Sequence, residues 1–259
     1  MTFDNYECDG QMSISDFITT NNDYQNKGRD RMKVLIACEE SQEVCKAFRQ
    51  KGHEAYSADI QECSGGHPEW HILGDVIPLI NGNCFFNTMD GIQHEVCGKW
   101  DLIIAHPPCT YLTNGGAVRM FRNEKKEFYP YGVFQMVNVD RLKEGIKARD
   151  FFFSFFNSNC EKIAIENPIP MSIYQLPQAE QTIQPYMFGD PYSKKTCLWL
   201  KGLPPLMATE LLVDYQPFIN GGGGRMERPN YKGKKFAEGS KGRSKTFPGI
   251  AKAMADQWG

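Results

Sequence analysis

The stretch that decides the fold is Asp101-Leu-Ile-Ile-Ala-His-Pro-Pro-Cys-Thr-Tyr-Leu-Thr-Asn-Gly-Gly116. Its first part, Leu102 to Ala105, is a short apolar run that is typical of a buried strand. Pro107 and Pro108 lack backbone N–H groups and have fixed φ angles, so the chain leaves the sheet there as a rigid loop. Cys109 follows at the carboxyl end of this strand. A thiol at that edge of a parallel sheet is well placed for nucleophilic chemistry, although a cysteine is also common as core filler.

A second unit precedes this stretch in the chain. The sequence predicts a buried strand over Val34 to Cys38, a helix over Glu43 to Lys51 with Ser41 as its N-cap, and a strand over Glu54 to Asp59. The order strand, helix, strand is the repeating unit of a parallel α/β sheet. In such sheets, a carboxylate in the position of Asp59 commonly takes the ribose hydroxyls of an adenosine-containing ligand.

The turn between the first strand and the helix, Cys38-Glu39-Glu40-Ser41, lacks the glycine-rich sequence of dinucleotide binders. Its two carboxylates repel a pyrophosphate, which disfavours NAD and ATP. They suit a ligand with a cationic head, such as the amino and sulfonium groups of S-adenosylmethionine. An ordinary strand–helix–strand unit without a ligand is the alternative interpretation.

A carboxylate also ends a third buried strand. The segment from Arg141 to Asn157 predicts a helix with Leu142 and Ile146 among its apolar residues, and Lys162 to Ile165 predicts the strand that follows. Glu166-Asn167-Pro168 ends that strand. A lone glutamate at a strand end is commonly a solvated terminus, but here it has a counterpart in the Pro-Pro-Cys loop.

The other segments give weaker signals. From Cys63 to Trp100 the sequence predicts irregular structure, and its cysteines and histidines match no common metal-ligand spacing, so no metal site is predicted. The polar and aromatic stretch from Ala117 to Asn138 predicts a long loop with some helix, which is a candidate lid. The stretch from Thr246 to Trp258 predicts a helix.

Composition limits the class of protein. The net charge of the chain is −2, so bulk charge does not predict a polyanionic partner. The nine cysteines follow no disulfide or zinc pattern, and neither a signal peptide nor a membrane span is evident. We therefore expect a cytoplasmic protein with reduced thiols.

Local charge is different near the end of the chain. Between Arg225 and Lys245 there are eight Lys or Arg residues and two Glu, after a run of four glycines. Such a basic segment suits contacts with a phosphate backbone, and a solvated basic loop is the alternative.

These motifs, in this order, resemble the C5-cytosine-specific DNA methyltransferase family from about Lys33 to the C-terminus. Pro107-Pro108-Cys109 matches the family's Pro-Pro-Cys loop, in which the thiol is the nucleophile. Glu166-Asn167 matches its Glu-Asn-Val motif, with Pro168 in place of valine. The resemblance implies an α/β fold: a Rossmann-like S-adenosylmethionine-dependent methyltransferase sheet flanked by helices, with a small C-terminal recognition segment.

The resemblance also implies site residues. Cys109 and Glu166 are the expected catalytic pair, and Gly74-Asp75-Val76 resembles the family's Gly-Asp-Ile element, whose Asp contacts the adenine of the methyl donor. The residues expected to bind the donor are Cys38, Glu39, Ser41, Asp59, Ile60, Asp75, Val76, His106 and Pro107. The residues expected to contact nucleic acid are Asn167, Lys194, Lys195, Arg225, Arg228, Lys232, Lys234, Lys235, Lys241 and Arg243.

The implied organisation has four parts, and two motifs depart from the family. The parts are a polar N-terminal extension (1–31), a methyltransferase core (32–200), a small basic target-recognition segment (201–245) and a C-terminal helix that returns to the core (246–259). The family's first motif is a Phe-x-Gly-x-Gly turn, which Ala37 to Ser41 replaces, and His106 stands where the family has a small residue.

The implied activity is methylation of cytosine C5 in DNA through a covalent adduct of Cys109 with C6. C5 methylation of RNA or of a free cytosine nucleotide, and a non-catalytic nucleic-acid-binding protein on a degenerate scaffold, remain as alternatives. An amino-methyltransferase is disfavoured because those enzymes have Asp, Asn or Ser before the prolines and an aromatic residue after them, where this chain has His106 and Cys109. A zinc deaminase is disfavoured because Pro-Cys-x-x-Cys and His-x-Glu are missing.

Overall fold

A seven-stranded sheet organises the residues that this computed structural model describes, namely 31–122, 136–218 and 244–259. In chain order the strands are β1 (Lys33–Ala37), β2 (Glu54–Asp59), β3 (His71–Leu73), β4 (Cys84–Asn87), β5 (Gln93–Val96), β6 (Leu102–Ala105), β7 (Phe121–Arg122), β8 (Met136–Val137), β9 (Ile163–Asn167), β10 (Gln181–Ile183), β11 (Tyr192–Ser193), β12 (Thr196–Lys201) and β13 (Gln216–Pro217). The α-helices are α1 (Glu43–Gln50), α2 (Ala117–Met120), α3 (Val139–Phe156) and α4 (Pro248–Trp258).

The strand order of the central sheet is β10-β12-β9-β6-β1-β2-β3. The five strands from β9 to β3 are parallel to one another, while β12 runs antiparallel to both β9 and β10. The predicted α/β class is confirmed, and this mostly parallel order is compatible with a Rossmann-like fold.

Successive side chains of the buried strands pack into two separate cores, one on each face of the sheet. In β1, Leu35 packs into the core on one face of the sheet and Ile36 into the core on the other, because successive strand side chains point to opposite faces. Helix α3 covers the first face through Phe152 and Phe155, while α1 and α4 cover the second. Burial on both faces explains why these strands are continuous apolar runs rather than alternating ones.

Two predictions about local structure are wrong. The segment 63–100, expected to be irregular, contains the edge strand β3 and the antiparallel hairpin of β4 and β5. These strands have three or four residues each, too short for a clear period in the sequence. In α3 the predicted apolar face is shifted, because Phe155 is fully buried whereas Ile146 is 38% exposed.

The chain divides between Arg31 and Met32, where a compact unit begins that extends to Gly259. The predicted extension 1–31 lies outside the described residues apart from Arg31, and so does 123–135 of the predicted lid. None of the described helices is long and apolar enough to cross a membrane. The eight cysteines of the described ranges form no disulfide with one another.

Candidate active site

Side chains of differing chemistry line the carboxyl edge of the central sheet. Four residues of β2, β1, β6 and β9 are paired in register: Ala58, Ala37, Ala105 and Ile165. The residues that follow them along the chain are Asp59, Cys38, His106 and Glu166. Because the strands are parallel, these four positions form one row at the edge where open α/β sheets bind ligands.

Cys109 lies in a loop that one side chain holds to β9. Nδ2 of Asn167 donates a hydrogen bond of 3.2 Å to the backbone oxygen of Pro107. The carbonyl of Cys109 accepts from the N–H groups of Leu112 and Thr113 at 3.1 and 3.0 Å, so the half-buried thiol stands at the start of a tight turn. Asn167 is 2% exposed. The structure therefore places Asn167 behind the loop and not on a surface open to nucleic acid.

The chain after Cys109 and the chain after β9 are joined by backbone hydrogen bonds. The N–H of Asn114 donates to the carbonyl of Ile169 at 2.9 Å, and the N–H of Met171 donates to the carbonyl of Leu112 at 2.7 Å. The thiol loop and the loop that follows the carboxylate strand are thus fixed to each other.

Arg141 of α3 fastens the thiol loop from the other side. Its Nη2 donates to the carbonyl of Thr110 at 2.7 Å, and its guanidinium lies 5.1 Å from the centre of the Tyr111 ring. The close approach requires a glycine, since a Cβ at Gly116 would overlap Nη2 of Arg141. Sequence reasoning missed Arg141, because its contact with the loop spans 31 positions.

His106 and Glu166 form a buried hydrogen-bonded pair. Nδ1 of His106 lies 3.1 Å from Oε2 of Glu166, and the two side chains are 8% and 11% exposed. Burial alone would raise the pKa of Glu166, but the hydrogen bond from His106 and the positive charge of Lys194 hold that pKa below the usual range. Nε2 of His106 is buried without a hydrogen-bond partner among the described residues. His106, expected in the donor set, is thus joined to the carboxylate of Glu166.

The two lysines before β12 have different surroundings. The ammonium of Lys194 lies 6.0 and 5.8 Å from the ring centres of Phe218 and Phe247, and its charge acts on Glu166. Lys195 is exposed. Of the two, only Lys195 has the open position expected of a contact with nucleic acid.

The turn after β1 has an unusual backbone. Cys38 and Gln42 have φ angles of +60° and +59°, a left-handed conformation that glycine adopts most readily. Gln42 takes the N-cap position of α1 without a side-chain bond. Glu39 accepts from the helix instead, through N–H groups of the first turn. The prediction that Ser41 caps α1 is therefore wrong, and Ser41 is buried.

Both carboxylates of this turn are engaged within the protein. Oε1 of Glu39 accepts from the N–H of Val44 at 2.7 Å, and Glu40 accepts from the hydroxyl of Ser64. Burial raises the pKa of Glu39, while the charge of His106 and the backbone N–H donors oppose that rise. The expectation that these carboxylates receive a cationic ligand group is not supported by their contacts.

Two other carboxylates converge at the end of β2. The N–H of Gly74 donates to the carbonyl of Asp59 at 2.9 Å, which places the segment of Asp75 beside the end of that strand. Burial, and then the negative charges of Asp59 and Asp75, raise the pKa of the Cys38 thiol. Three of the predicted donor-site residues are therefore close enough to interact.

The neighbours of these carboxylates differ in exposure. Ile60, directly after Asp59, is 80% exposed, which is unusual for a large apolar side chain. Val76, directly after Asp75, is 3% exposed and packs in the core. Pro107 of the expected donor set is also buried. Ile60 is thus the apolar member of that set that is open to a ligand.

A buried polar chain supports the loop after Asp59. Nε2 of Gln42 donates to Oγ of Ser57 at 3.2 Å, Ser57 Oγ lies 2.8 Å from Nδ1 of His71, and Nε2 of His71 donates to the carbonyl of Gln61 at 2.9 Å. Burial lowers the pKa of His71, which favours the neutral ring that these bonds require. These residues were not predicted, because the chain of bonds joins four separate segments.

An open cavity of about 220 Å³ lies beside the first turns of α1 and α4. Its lining consists of Glu43, Phe218, Lys245, Thr246, Phe247 and Pro248. Asp190 fixes the start of α4 by accepting from the N–H of Gly249 at 2.9 Å. The C-terminal helix thus packs on the same side of the sheet as α1, and its first residue lines this cavity.

Most residues predicted to contact nucleic acid lie outside the described residues. They are Arg225, Arg228, Lys232, Lys234, Lys235, Lys241 and Arg243. The described ranges hold no group of three or more His, Cys, Asp or Glu that could bind a metal ion. Three of the four strand-end residues, Cys38, His106 and Glu166, follow an apolar run in the sequence. No protein-family model matches the chain, and no curated protein matches it either.

Proposed function

We propose that this protein is a C5-cytosine methyltransferase that acts on DNA with S-adenosylmethionine as the methyl donor. The observation that carries the proposal is the hydrogen bond from Asn167 to Pro107, because it ties the loop of Cys109 to the strand of Glu166. Activation of cytosine C5 needs a thiol nucleophile and an acid that act on one ring. Here the two groups belong to neighbouring strands, with their loops fixed together.

The proposed chemistry uses these groups in turn. Cytosine C5 is a weak nucleophile in the neutral ring, and addition of the Cys109 thiolate to C6 gives C5 the character of an enamine. Glu166 holds N3 and the exocyclic amino group, and so stabilises the charge that develops on the ring. S-adenosylmethionine, when bound, supplies the electrophilic methyl group. Transfer of the C5 proton to a water molecule and elimination of the thiolate then release Cys109.

The residues of the donor side fit this ligand. Asp59 stands where a carboxylate takes ribose hydroxyls, and the exposed Ile60 offers an apolar surface for adenine. Asp75 lies beside them. The turn after β1 lacks the family's glycines, but Cys38 and Gln42 adopt the left-handed backbone that glycine would supply. The loss of the glycine motif therefore does not by itself argue against donor binding.

The proposal that DNA is the substrate rests on the distribution of positive charge in the chain. The chemistry requires a base that is flipped out of the duplex or already single-stranded. Lys195 is exposed beside the strand that pairs with β9, and the basic segment 225–245 has eight cations to hold a phosphate backbone. A polymer fits this distribution better than a free nucleotide does.

Trapping of the covalent adduct tests the proposal. Long duplex DNA made with 5-fluorocytosine is incubated with the protein and S-adenosylmethionine, and denaturing gels detect protein linked to DNA. We expect a linked complex with the wild type and none with Cys109→Ser, whose methyl transfer to ordinary DNA should fall at least about 1,000-fold. Cys97→Ser is the matched control, because Cys97 is an exposed thiol outside the site and its loss should change the rate less than about twofold.

The alternatives give distinct results. Methyl transfer at the wild-type rate by Cys109→Ser, or no adduct with the wild type, contradicts the proposal. Incorporation into dCMP or RNA but not into duplex DNA keeps the chemistry and changes the substrate. A methylated amino group in the product indicates an amino-methyltransferase.

A further inference from the structure

The pair of His106 and Glu166 adds a step that the thiol and the carboxylate do not explain. We infer that His106 holds the proton that Glu166 delivers to N3 of the target cytosine. The inference rests on the proposed function, since it concerns the same reaction. His106 is a positioning residue in this scheme, because it acts through Glu166 and does not touch the base.

The geometry of the pair allows direct proton exchange. Nδ1 of His106 and Oε2 of Glu166 are 3.1 Å apart, and an ionised carboxylate only accepts, so the ring N–H donates. The sheet fixes the positions of the pair. Ala105 and Ile165, which precede the two residues, are in register, and the backbone N–H of His106 donates to the carbonyl of Ala37 at 2.9 Å. With both side chains nine-tenths withdrawn from solvent, water has little access to the bond.

Glu166 needs such a partner. Although burial would raise the pKa of Glu166, His106 and Lys194 hold it below the usual range, so the free carboxylate has no proton to give at neutral pH. Protonation of N3 by Glu166 therefore requires a second group that supplies the proton. Imidazole is the side chain suited to bind and release a proton near neutral pH, and His106 is bonded to the carboxylate already.

The addition of the thiol balances in protons and electrons with these groups alone. As the Cys109 sulfur forms its bond to C6, the C5=C6 π pair moves to form C4=C5, and the C4=N3 π pair moves onto N3. N3 takes a proton from Glu166, and Glu166 takes one from Nδ1 of His106, whose ring becomes neutral. After elimination of the thiolate from the methylated ring, N3 returns its proton by the same path.

The charged and polar groups around His106 come from three sides. Glu166 faces it from β9, and the charge of Glu39 acts on it from the turn after β1. On the β12 side, the charge of Lys194 and a hydrogen bond from Thr196 act on Glu166, and burial, together with the Glu166 charge, raises the pKa of the Cys197 thiol. Nε2 of His106 has no hydrogen-bond partner among the described residues. Glu166 is thus the described group that accepts from this ring, and the second ring proton, on Nε2, is held by the charges of Glu166 and Glu39 and not by a hydrogen bond.

A pH profile separates proton storage from a structural role. His106→Asn keeps an N–H donor near the position of Nδ1 but cannot release its proton. Single-turnover methyl transfer to duplex DNA is measured from pH 5.5 to 9 for both proteins. The ratio of the wild-type rate to the variant rate should be near one at the acid end of the range. It should then rise about tenfold per pH unit and reach a plateau of about 100-fold. The ratio is the proper measure, because ionisation of Cys109 affects both proteins alike.

The chain offers a matched control. His67 and Glu69 form another imidazole–carboxylate pair, with Nδ1 and Oε1 2.9 Å apart, but on the exposed surface. His67→Asn makes the same chemical change outside the site. The ratio of the wild-type rate to the His67→Asn rate should stay within about twofold of one at every pH, because no step of the reaction uses the His67 proton.

A second measurement needs no catalysis. Nitrogen-15 NMR of the His106 ring, in the protein without DNA, is compared between the wild type and Glu166→Gln across the same pH range. The Nδ1–H resonance of the ring should lie further downfield in the wild type, because that proton is donated to an ionised carboxylate and not to a neutral amide. An equal response in the two proteins overturns the inference.

The outcomes distinguish the inference from the function. A covalent adduct with 5-fluorocytosine DNA together with a rate ratio that does not change with pH overturns the inference alone. Absence of any adduct with the wild type overturns the proposed function and the inference with it.

Discussion

Glu39 and Glu166 are both withdrawn from solvent near the same edge of the sheet, but their pKa values move in opposite directions. Burial raises the pKa of Glu39, whose bonded partners are backbone N–H groups of Val44 and Cys45. Burial acts in the same sense on Glu166, but the bonded imidazole of His106 and a nearby ammonium outweigh it. The charge of His106 acts on Glu39 as well, so the comparison indicates that a hydrogen-bonded imidazole together with a second cation compensates for burial, where an imidazole that is not bonded and backbone N–H donors do not.

The difference extends to the two halves of the candidate site. On the nucleophile side, the hydrogen bonds Asn167–Pro107 and His106–Glu166 each join residues 60 positions apart. On the donor side, Asp59 and Asp75 each accept from an N–H two residues further along. The nucleophile half therefore depends on correct assembly of β6 with β9, whereas each of the two donor-side carboxylates is oriented by a hydrogen bond within its own turn.

Replacement of the hydrogen-bond donor of Asn167 by an acceptor should give the largest effect of the changes that test this comparison. Asn167→Asp places an acceptor against the carbonyl of Pro107 at the same size and shape. We expect methyl transfer to fall about 100-fold and the free energy of unfolding to fall by about 2 kcal/mol, the range for an unsatisfied buried polar group. Single-turnover assays and urea denaturation measure the two quantities.

Asn83→Asp is the control for that change. Asn83 uses its side-chain oxygen to accept from the N–H of Gly98 in an exposed turn, so aspartate keeps the bond. The rate should stay within about twofold of the wild type. An equal loss in both variants would show that the substitution acts through charge alone and not through the loop.

A smaller effect should follow from loosening the thiol loop at its contact with α3. Gly116→Ala forces Arg141 away from the carbonyl of Thr110, because the new Cβ would occupy the position of its Nη2. We expect methyl transfer to fall about tenfold with less than about 1 kcal/mol of destabilisation, since a flexible side chain can move aside. Gly115→Ala is the adjacent control: the atom nearest to its Cβ would be Oγ1 of Thr113 at 3.8 Å. Equal rates in the two variants would contradict a role for the Arg141 contact.

The opposite pKa shifts of Glu166 and Glu39 predict the smallest effect, which is a change in how the free energy of unfolding varies with pH. The lowered pKa of Glu166 stabilises the fold above the ordinary glutamate value of about 4.3, and that contribution is lost as the pH falls through the lowered value. The raised pKa of Glu39 acts in reverse, so the wild type loses stability as the pH rises from about 4.3.

Glutamine substitutions isolate the two contributions. From pH 3.5 to 7, the free energy of unfolding of the wild type should rise relative to Glu166→Gln and fall relative to Glu39→Gln, by about 1 kcal/mol in each case. Urea denaturation at a series of pH values measures both. Differences of the same sign would contradict the comparison of the two carboxylates.

One part of the candidate site can be located in the sequence for a physical reason. β1, β6 and the start of β9 are apolar because both sheet faces are covered, so their ends are visible in the sequence, and Cys38, His106 and Glu166 follow from those ends. The end of β2 at Asp59 is less visible, because that strand contains Glu54 and Ser57. The thiol loop is equally visible, since the two prolines before Cys109 mark the exit from the sheet.

The remainder depends on contacts between distant segments. Glu39 caps α1 in place of Ser41 because a long side chain can reach over a left-handed turn, and a sequence pattern does not contain that geometry. Arg141 and the pairing of His106 with Glu166 depend on which strands are neighbours and in what register. The register is a property of the assembled sheet.

The row of strand-end residues makes the site sensitive to the length of its strands more than to their composition. Apolar substitutions within β6 that preserve volume would leave His106 beside Glu166. Deletion of one residue from β6 would move Pro107 into that place and turn alternate side chains to the opposite face. Variation in length among related chains is therefore expected in turns such as the one between β4 and β5, while the spacing from Leu102 to Cys109 stays constant.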